Sequence, residues 1–259
     1  MRFSVVPILI SVITISGCNG GGSNVNSNKS TANTNTADFK PPGPISPNEA
    51  PDPKFKSCNP YFPLVPGSIA KYVINYSSGL VADITVVVDA ADEGGRKVFT
   101  ERSQLVDRSG GMHIVQSVTR KYVCDGDRVL IVSEATDSNI EGGKSSSEFQ
   151  YRENSVAMAD PQTLARKGST WTIGFRTIVR SPGQPEQRSD VPTIVAFEVG
   201  GPQQVQTSVG TFNTTNIIRK VGENVVYDFY APGIGLVRRQ AKEGTSWELR
   251  EYSGLKALD

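Results

Sequence analysis

Met112-His113-Ile114-Val115-Gln116-Ser117-Val118-Thr119-Arg120-Lys121-Tyr122-Val123-Cys124, then Asp125-Gly126, then Val129-Leu130-Ile131-Val132, is the stretch from which the fold class is read. Met112, Ile114, Val118, Tyr122 and Cys124 fall on one side of a period-two pattern, the spacing of a half-buried strand. Asp125-Gly126 is a hairpin signal of the two-residue kind. Val129 to Val132 is apolar without a break and reads as a strand buried on both faces. The same pattern runs outward. Ala70, Tyr72, Ile74 and Tyr76 share one face, and so do Ile84, Val86 and Val88. Gly94-Gly95 and Gly110-Gly111 turn the chain between runs.

The second half repeats the style, with candidate strands over 170–180, 190–199, 203–209, 212–220, 224–230, 235–241 and 245–252. Pro232-Gly233 fits the central positions of a type II turn. The one helical signal is Asp160-Pro161 before Leu164, a cap and a first-turn proline, ended by Gly168. These features predict an all-β, mainly antiparallel fold: a curved sheet, half-barrel or two-lobed sandwich. Leu64 with Gly67-Ser68 precedes one strand, and Leu164 with Gly168-Ser169 precedes another. That is the outline of an internal duplication.

The chain begins with Arg2, an apolar run from Phe3 to Ile15, and then Ser16-Gly17-Cys18. A basic start, an apolar middle and small residues before a cut read as a secretory signal over 1–17. An apolar run of about 13 residues, with Pro7 inside it, is short for a spanning helix, which needs ~20. The run Ile15-Ser16-Gly17-Cys18 resembles the lipobox of bacterial lipoproteins. The resemblance implies cleavage between Gly17 and Cys18 and acylation of the Cys18 thiol. An ordinary secretory signal or an uncleaved anchor is the alternative. Asn19, where a retention signal would carry Asp, leans toward the outer membrane.

Residues 18–57 read as a tether: Gly20-Gly21-Gly22, a Ser/Asn/Thr tract, then Pro41, Pro42, Pro44, Pro47, Pro51 and Pro53. Such a coil spans ~35 Å. Residues 58–259 form the β-rich domain. Of the three cysteines, Cys58 and Cys124 remain after Cys18 is assigned to lipid. In an oxidising compartment they read as a disulfide, with two free thiols as the alternative. One histidine in the whole chain makes a tetrahedral metal site unexpected.

Enzyme signatures are sparse, and no catalytic residue is assigned. His113 is the one available imidazole base and falls out of phase with Met112 and Ile114. Ser68-Ile69-Ala70-Lys71 matches Ser-x-x-Lys, but on a strand its two ends point to opposite faces. Gly143-Lys144-Ser145 lacks the first glycine of a phosphate loop. Paired carboxylates leave no spacing signature, so Asp83, Asp89, Glu101, Glu134 and Glu148 stay open as glycan-cleaving candidates. The net charge is +1, with no basic block, which argues against nucleic acid.

Three further stretches are similar to a group of uncharacterised bacterial secreted and lipoprotein domains. They are Phe62-Pro63-Leu64-Val65-Pro66-Gly67-Ser68, Val209-Gly210-Thr211-Phe212, and Tyr230-Ala231-Pro232-Gly233-Ile234-Gly235-Leu236-Val237. The resemblance implies a curved antiparallel sheet, loosely like the lipoprotein carriers LolA and LolB. Read on the residues alone, the motifs are structural, with Phe62 and Leu64 plugging one end of the sheet. No cofactor is expected. The leading expectation is a lipid-anchored envelope protein that binds a lipid or another apolar ligand. Tyr72, Ile74, Val86, Val118, Trp171 and Phe229 would line its concavity. The alternatives are an assembly subunit that binds another envelope protein through an exposed strand edge, and a carboxylate-dependent glycan hydrolase.

Overall fold

A computed structural model describes residues 43–52, 54–107, 114–140 and 143–258. The strands are β1 (Ile69–Asn75), β2 (Val81–Glu93), β3 (Arg96–Asp107), β4 (Ile114–Asp125), β5 (Arg128–Ile140), β6 (Gly143–Tyr151), β7 (Val156–Met158), β8 (Thr170–Arg180), β9 (Gln187–Arg188), β10 (Thr193–Thr207), β11 (Gly210–Val221), β12 (Asn224–Ala231), β13 (Gly235–Ala241) and β14 (Ser246–Ser253). A single-turn helix, α1 (Pro161–Leu164), carries Asp160 as its N-cap, as its sequence predicts. The strands pair antiparallel, each with its neighbour along the chain. β10 pairs with β8, and β14 returns to pair with β1. With β7 and β9 off the ring, twelve strands close into one up-and-down barrel.

This corrects the expected half-barrel or two-lobed sandwich. Alternation reports which face of a strand is buried, but not whether the last strand meets the first. Closure rests on two backbone ladders: β14–β1, which joins the last strand to the first, and β10–β8, which skips over β9. The spans 190–199 and 203–209 also merge into one strand. β10 continues through Gly200-Gly201 by a register shift between Val199 and Gly201.

The ring repeats itself. Gly67 and Gly168 both take φ +83°, and each sits just before the first strand of a half. Gly67 N–H donates to Val88 O at 2.8 Å, and Val88 N–H donates to Ser68 O at 3.2 Å. In the second half Gly168 N–H donates to Val199 O at 2.7 Å, and Val199 N–H donates to Ser169 O at 2.9 Å. Leu64 and Leu164 are both fully buried in the same apolar cluster. The halves are therefore β1 to β6 and β8 with β10 to β14.

One end of the barrel is stoppered by the segment before β1. Phe62 lies between the walls, 5.1 Å from the Tyr122 ring on β4 and 6.5 Å from Tyr230 on β12. Asn59 is wholly buried. Its Nδ2 donates to Asp127 O and Ala159 O at 2.7 and 2.8 Å, and its Oδ1 accepts from the Tyr61 and Phe62 N–H groups. Two of the stretches singled out in the sequence meet here. Gly233 N–H donates to Pro60 O at 2.7 Å, and at φ +77° a side chain on Gly233 would strike Lys256 O. Gly233 lies at the third position of the Ala231–Ile234 turn, with the positive φ that a type II turn requires there.

Cys58 and Cys124 are bonded, with Cα atoms 6.1 Å apart, which fastens the plug to β4. Part of the stretch read as tether also lies on the barrel wall. Asn48 N–H donates to Asp89 Oδ1 and Arg102 Nη2 donates to Ser46 O, while Phe55 packs edge-on to Phe99.

The outer wall is mixed: Val98, Val123 and Leu130 form an apolar cluster there, and Ile194 is exposed. It carries the pairs Lys71–Glu251, Arg102–Asp89, Lys121–Glu93, Arg180–Glu148, Lys220–Glu198 and Arg238–Glu248. A barrel that crosses a membrane needs an apolar band on that face. These six pairs set charge along that face.

Removing the plug bond with Cys58→Ser and Cys124→Ser together frees a loop of 66 residues in the unfolded chain. The double variant should lose about 4 kcal/mol of unfolding free energy, read from denaturant midpoints at unchanged slope.

Candidate functional site in the barrel lumen

Paired residues in an antiparallel sheet share a face, so the register identifies the inward rows. On the first half one such row runs Val88, Glu101, Arg120, Glu134, Phe149, Thr177. On the second half the corresponding row runs Val199, Ile217, Asp228, Arg239, Trp247, Ile74. Both rows put charge inside the barrel. Arg120 donates to Glu101 at 2.9 Å and to Glu134 at 2.9 Å, and the Tyr151 hydroxyl donates to Glu134 at 2.9 Å. Asp228 accepts from Arg239 at 2.5 Å and from Arg219 at 3.2 Å.

The two trios correspond strand for strand with their signs reversed. Acid–base–acid on β3, β4 and β5 carries net −1. Base–acid–base on β11, β12 and β13 carries net +1. The aromatic that follows the central residue is kept, Tyr122 after Arg120 and Tyr230 after Asp228, and both meet Phe62. Arg239 also lies over the Trp247 ring, 4.6 Å from its centroid.

Electrostatics follow from this pairing. Burial works against the Arg120 charge, but Glu134, then Tyr122 and Glu101, outweigh it and hold the guanidinium above its ordinary value. Burial pushes the Asp228 carboxyl up, and Arg219 and Arg239 more than reverse that, leaving it below the ordinary carboxylate value of 3.8. Burial alone is the largest effect on the tyrosines. Tyr230 is pushed up to about 12 by burial and then by Asp228. Tyr76 is pushed up to about 12 by burial and then by Asp107. Tyr72, Tyr122 and Tyr151 are raised as well, again mainly by burial.

The trios line open space. Eight strands make a barrel that side chains just fill, and twelve make a wider one. Beyond the ionic row, away from the plug, the next inward row is small: Val86, Ser103, Val118, Thr136, Ser147. Arg120 and Glu101 keep 20% and 16% of their side-chain surface accessible although both point inward from a closed wall. That surface faces the lumen. A separate external groove of about 650 Å³ lies over the ends of β4, β5, β6 and β8, lined by Val115, Asp137, Asn139, Lys144, Arg180 and Pro182 among others.

Of the residues expected to line an apolar pocket, Tyr72, Ile74, Val86, Val118 and Trp171 lie on the inward register. Phe229 does not. It pairs with Arg238, between the inward Asp228 and Tyr230, and is buried on the opposite face. Trp171 is stacked on Phe197 at 5.0 Å. The Tyr72 hydroxyl donates to Leu236 O. These five share the lumen with the charged side chains of the two trios and with Asp107, which the apolar reading did not include.

Among the five carboxylates considered for glycan chemistry, Glu101 and Glu134 are brought together by Arg120. Asp89 and Glu148 are held outside by Arg102 and Arg180, and Asp83 lies on the outward register. Arg120, Arg219, Asp228 and Arg239 carry no local motif. The signal available for them was parity: each falls in phase with buried apolar neighbours on its own strand. Gly17, Cys18 and His113 lie outside the described residues.

Among the described residues no group of three His, Cys, Asp or Glu could hold a metal ion, and no helix is long and apolar enough to cross a membrane. No protein-family model, curated protein or solved structure matches this chain.

Arg120→Met leaves Glu134, whose side chain is 3% exposed, without its cation. It should cost about 3–5 kcal/mol at neutral pH. Denaturant unfolding of the variant beside the wild type checks this. The wild-type chain should lose stability above pH 10. Folded Tyr230 and Tyr76 hold their protons to about 12 while the unfolded chain releases them near 10.0. On the acid side Asp228 contributes above its unfolded value of 3.8, and that contribution fades as pH falls through its lower folded value. Thermal midpoints across the two pH ranges read both slopes.

Proposed function

We propose that this chain is an envelope lipoprotein that works by binding a solute inside a water-facing barrel, with no chemistry of its own. The observation that carries the reading is the pairing of a charged outer wall with a charged, accessible lumen. The first keeps the barrel out of the bilayer. The second is more than a packed core needs, since buried charge costs free energy unless paired. Membrane attachment then rests on the Cys18 thiol, with the Asn- and Ser-rich segment after it supplying reach. The outer membrane, with the barrel facing the periplasm or the cell surface, suits a plug fastened by a disulfide.

The lumen favours a polar solute over a lipid. An acyl chain laid across Glu101, Arg120 and Arg239 would strip them of water and return no hydrogen bond. Assembly through a strand edge has less support. Ring closure leaves β9 as an edge of two residues flanked by Pro185 and Pro192, which blocks pairing. Glycan hydrolysis needs one carboxyl free to donate a proton, and Glu101 and Glu134 are both held by Arg120.

Attachment is tested by metabolic palmitate labelling and membrane flotation of the full chain. Wild type should take up label and float, and Cys18→Ser should do neither. A wild-type chain that stays unlabelled and soluble would contradict the reading.

A further inference from the structure

We propose that the external groove over the ends of β4, β5, β6 and β8 binds a neutral saccharide. This site lies on the outer wall, apart from the lumen, and does not depend on what the lumen holds. The register lays out its floor as two outward rows. One runs Val115, Asn139, Lys144, and the other runs Ser117, Asp137, Ser146, Arg180. They alternate with the inward Gln116, Ser138 and Ser145. Pro182, just past the end of β8, lines the groove as well. The volume of about 650 Å³ falls in the range of small-molecule sites, ~300–1,000 Å³.

The backbone of this floor has little to offer a ligand. β5 and β6 are each paired on both sides, which leaves no edge for an added peptide strand. Recognition falls to side chains of mixed hydrogen-bonding type. The Ser117 and Ser146 hydroxyls donate and accept, Asp137 only accepts, and Lys144 only donates. Among the described residues neither Asp137 nor Lys144 has an ion-pair partner. Arg180 is held by Glu148 at 3.1 Å and by Glu186 at 2.9 Å, so its charge is already met.

A further side chain points to a ligand. Asn139 Oδ1 is enclosed and has no hydrogen-bond partner among the described residues, whereas buried polar atoms are nearly always satisfied. An amide swings at low cost about its last torsion, which brings that oxygen to a ligand in the groove. An anion gains at Lys144 and loses at Asp137, and a cation does the reverse. Sugar hydroxyls donate to Asp137 and to Asn139 Oδ1 and accept from Lys144. Val115 and Pro182 offer apolar surface to the C–H faces of the rings. A rigid ring holds its hydroxyls in place, which lowers the ordering cost of binding.

The test uses the full chain in micelles of a detergent without a sugar headgroup. It is applied to an array of neutral and acidic oligosaccharides, and each one that binds is titrated as the free sugar by calorimetry. At least one neutral oligosaccharide should bind saturably. Asp137→Ala and Lys144→Ala should each weaken it about ten-fold or more, as expected when a hydrogen bond to a charged group is lost. Ser146→Leu, which fills the floor and leaves every charge in place, should abolish binding, with circular dichroism and the thermal midpoint showing a folded chain. Ser117→Leu, at an exposed position, gives the same readout should Ser146→Leu fail to fold.

No saturable binding of any neutral oligosaccharide in solution, tighter binding of an acidic form than of every neutral one, or full binding to the folded leucine variants would overturn the proposal. A saccharide that the leucine variants still hold sits elsewhere in the chain, so the groove assignment falls and the lumen reading stands.

Discussion

A sheet of twelve strands that hydrogen-bonds back onto itself has no free edge around the ring, and it encloses more width than side chains alone can fill. The rest of this molecule answers that constraint. The aromatic plug from the segment before β1 fills one end. Beyond it, the middle is spanned by arginines long enough to reach their carboxylates and tyrosines long enough to reach a carbonyl or an acid. Once charge is inside, it has to be paired, because an unpaired buried ion costs several kcal/mol. Arg120 therefore meets two acids, and Asp228 meets two bases. The small residues past that layer complete the arrangement by leaving the charged layer accessible.

The duplication explains how such an interior is assembled from a simple plan. Each half opens with a leucine driven into the plug cluster and a Gly-Ser step whose backbone bonds the far end of the next strand. Each half then places a charged residue on the inward face of its fourth strand, with a tyrosine two positions later. Had both halves kept the same sign, the two trios would repel across the chamber. Reversal of sign puts an arginine between two acids on one wall and an aspartate between two arginines on the other. The two glycines at φ +83° mark the same backbone step twice, and this is the feature by which the repeat can be recognised where side chains have diverged.

Much of the local structure was legible in the residues. The span 170–180 was read to the residue, the Pro232-Gly233 turn falls where its chemistry puts it, the turn read at Asp125-Gly126 falls one residue later, on Gly126-Asp127 between the paired Asp125 and Arg128, and Asp160-Pro161 opens the single helical turn. Phe62 and Leu64 were read as a plug and are one. The closure was not legible, because it depends on pairs such as Val73 with Glu248 and Ile194 with Gly174, whose contact leaves no trace in either local pattern. Val132 shows the limit of composition: it ends an apolar run read as buried on both faces, yet it is 51% exposed. The charged lumen escaped for a related reason. An arginine at an inward position looks, one strand at a time, like an error in the alternation, and only its partner on the next strand turns it into a site. Phe229 misled in the opposite direction, since a buried aromatic was assumed to face the concavity.

Ring closure is the central claim, and interstrand nuclear Overhauser effects on the isotopically labelled full chain test it most directly. The account predicts backbone contacts between Val73 and Glu248 across β1 and β14, together with contacts between Ile194 and Gly174 across β10 and β8. Absence of either set, with the remaining ladders intact, would mean an open sheet and would remove the lumen along with everything argued from it.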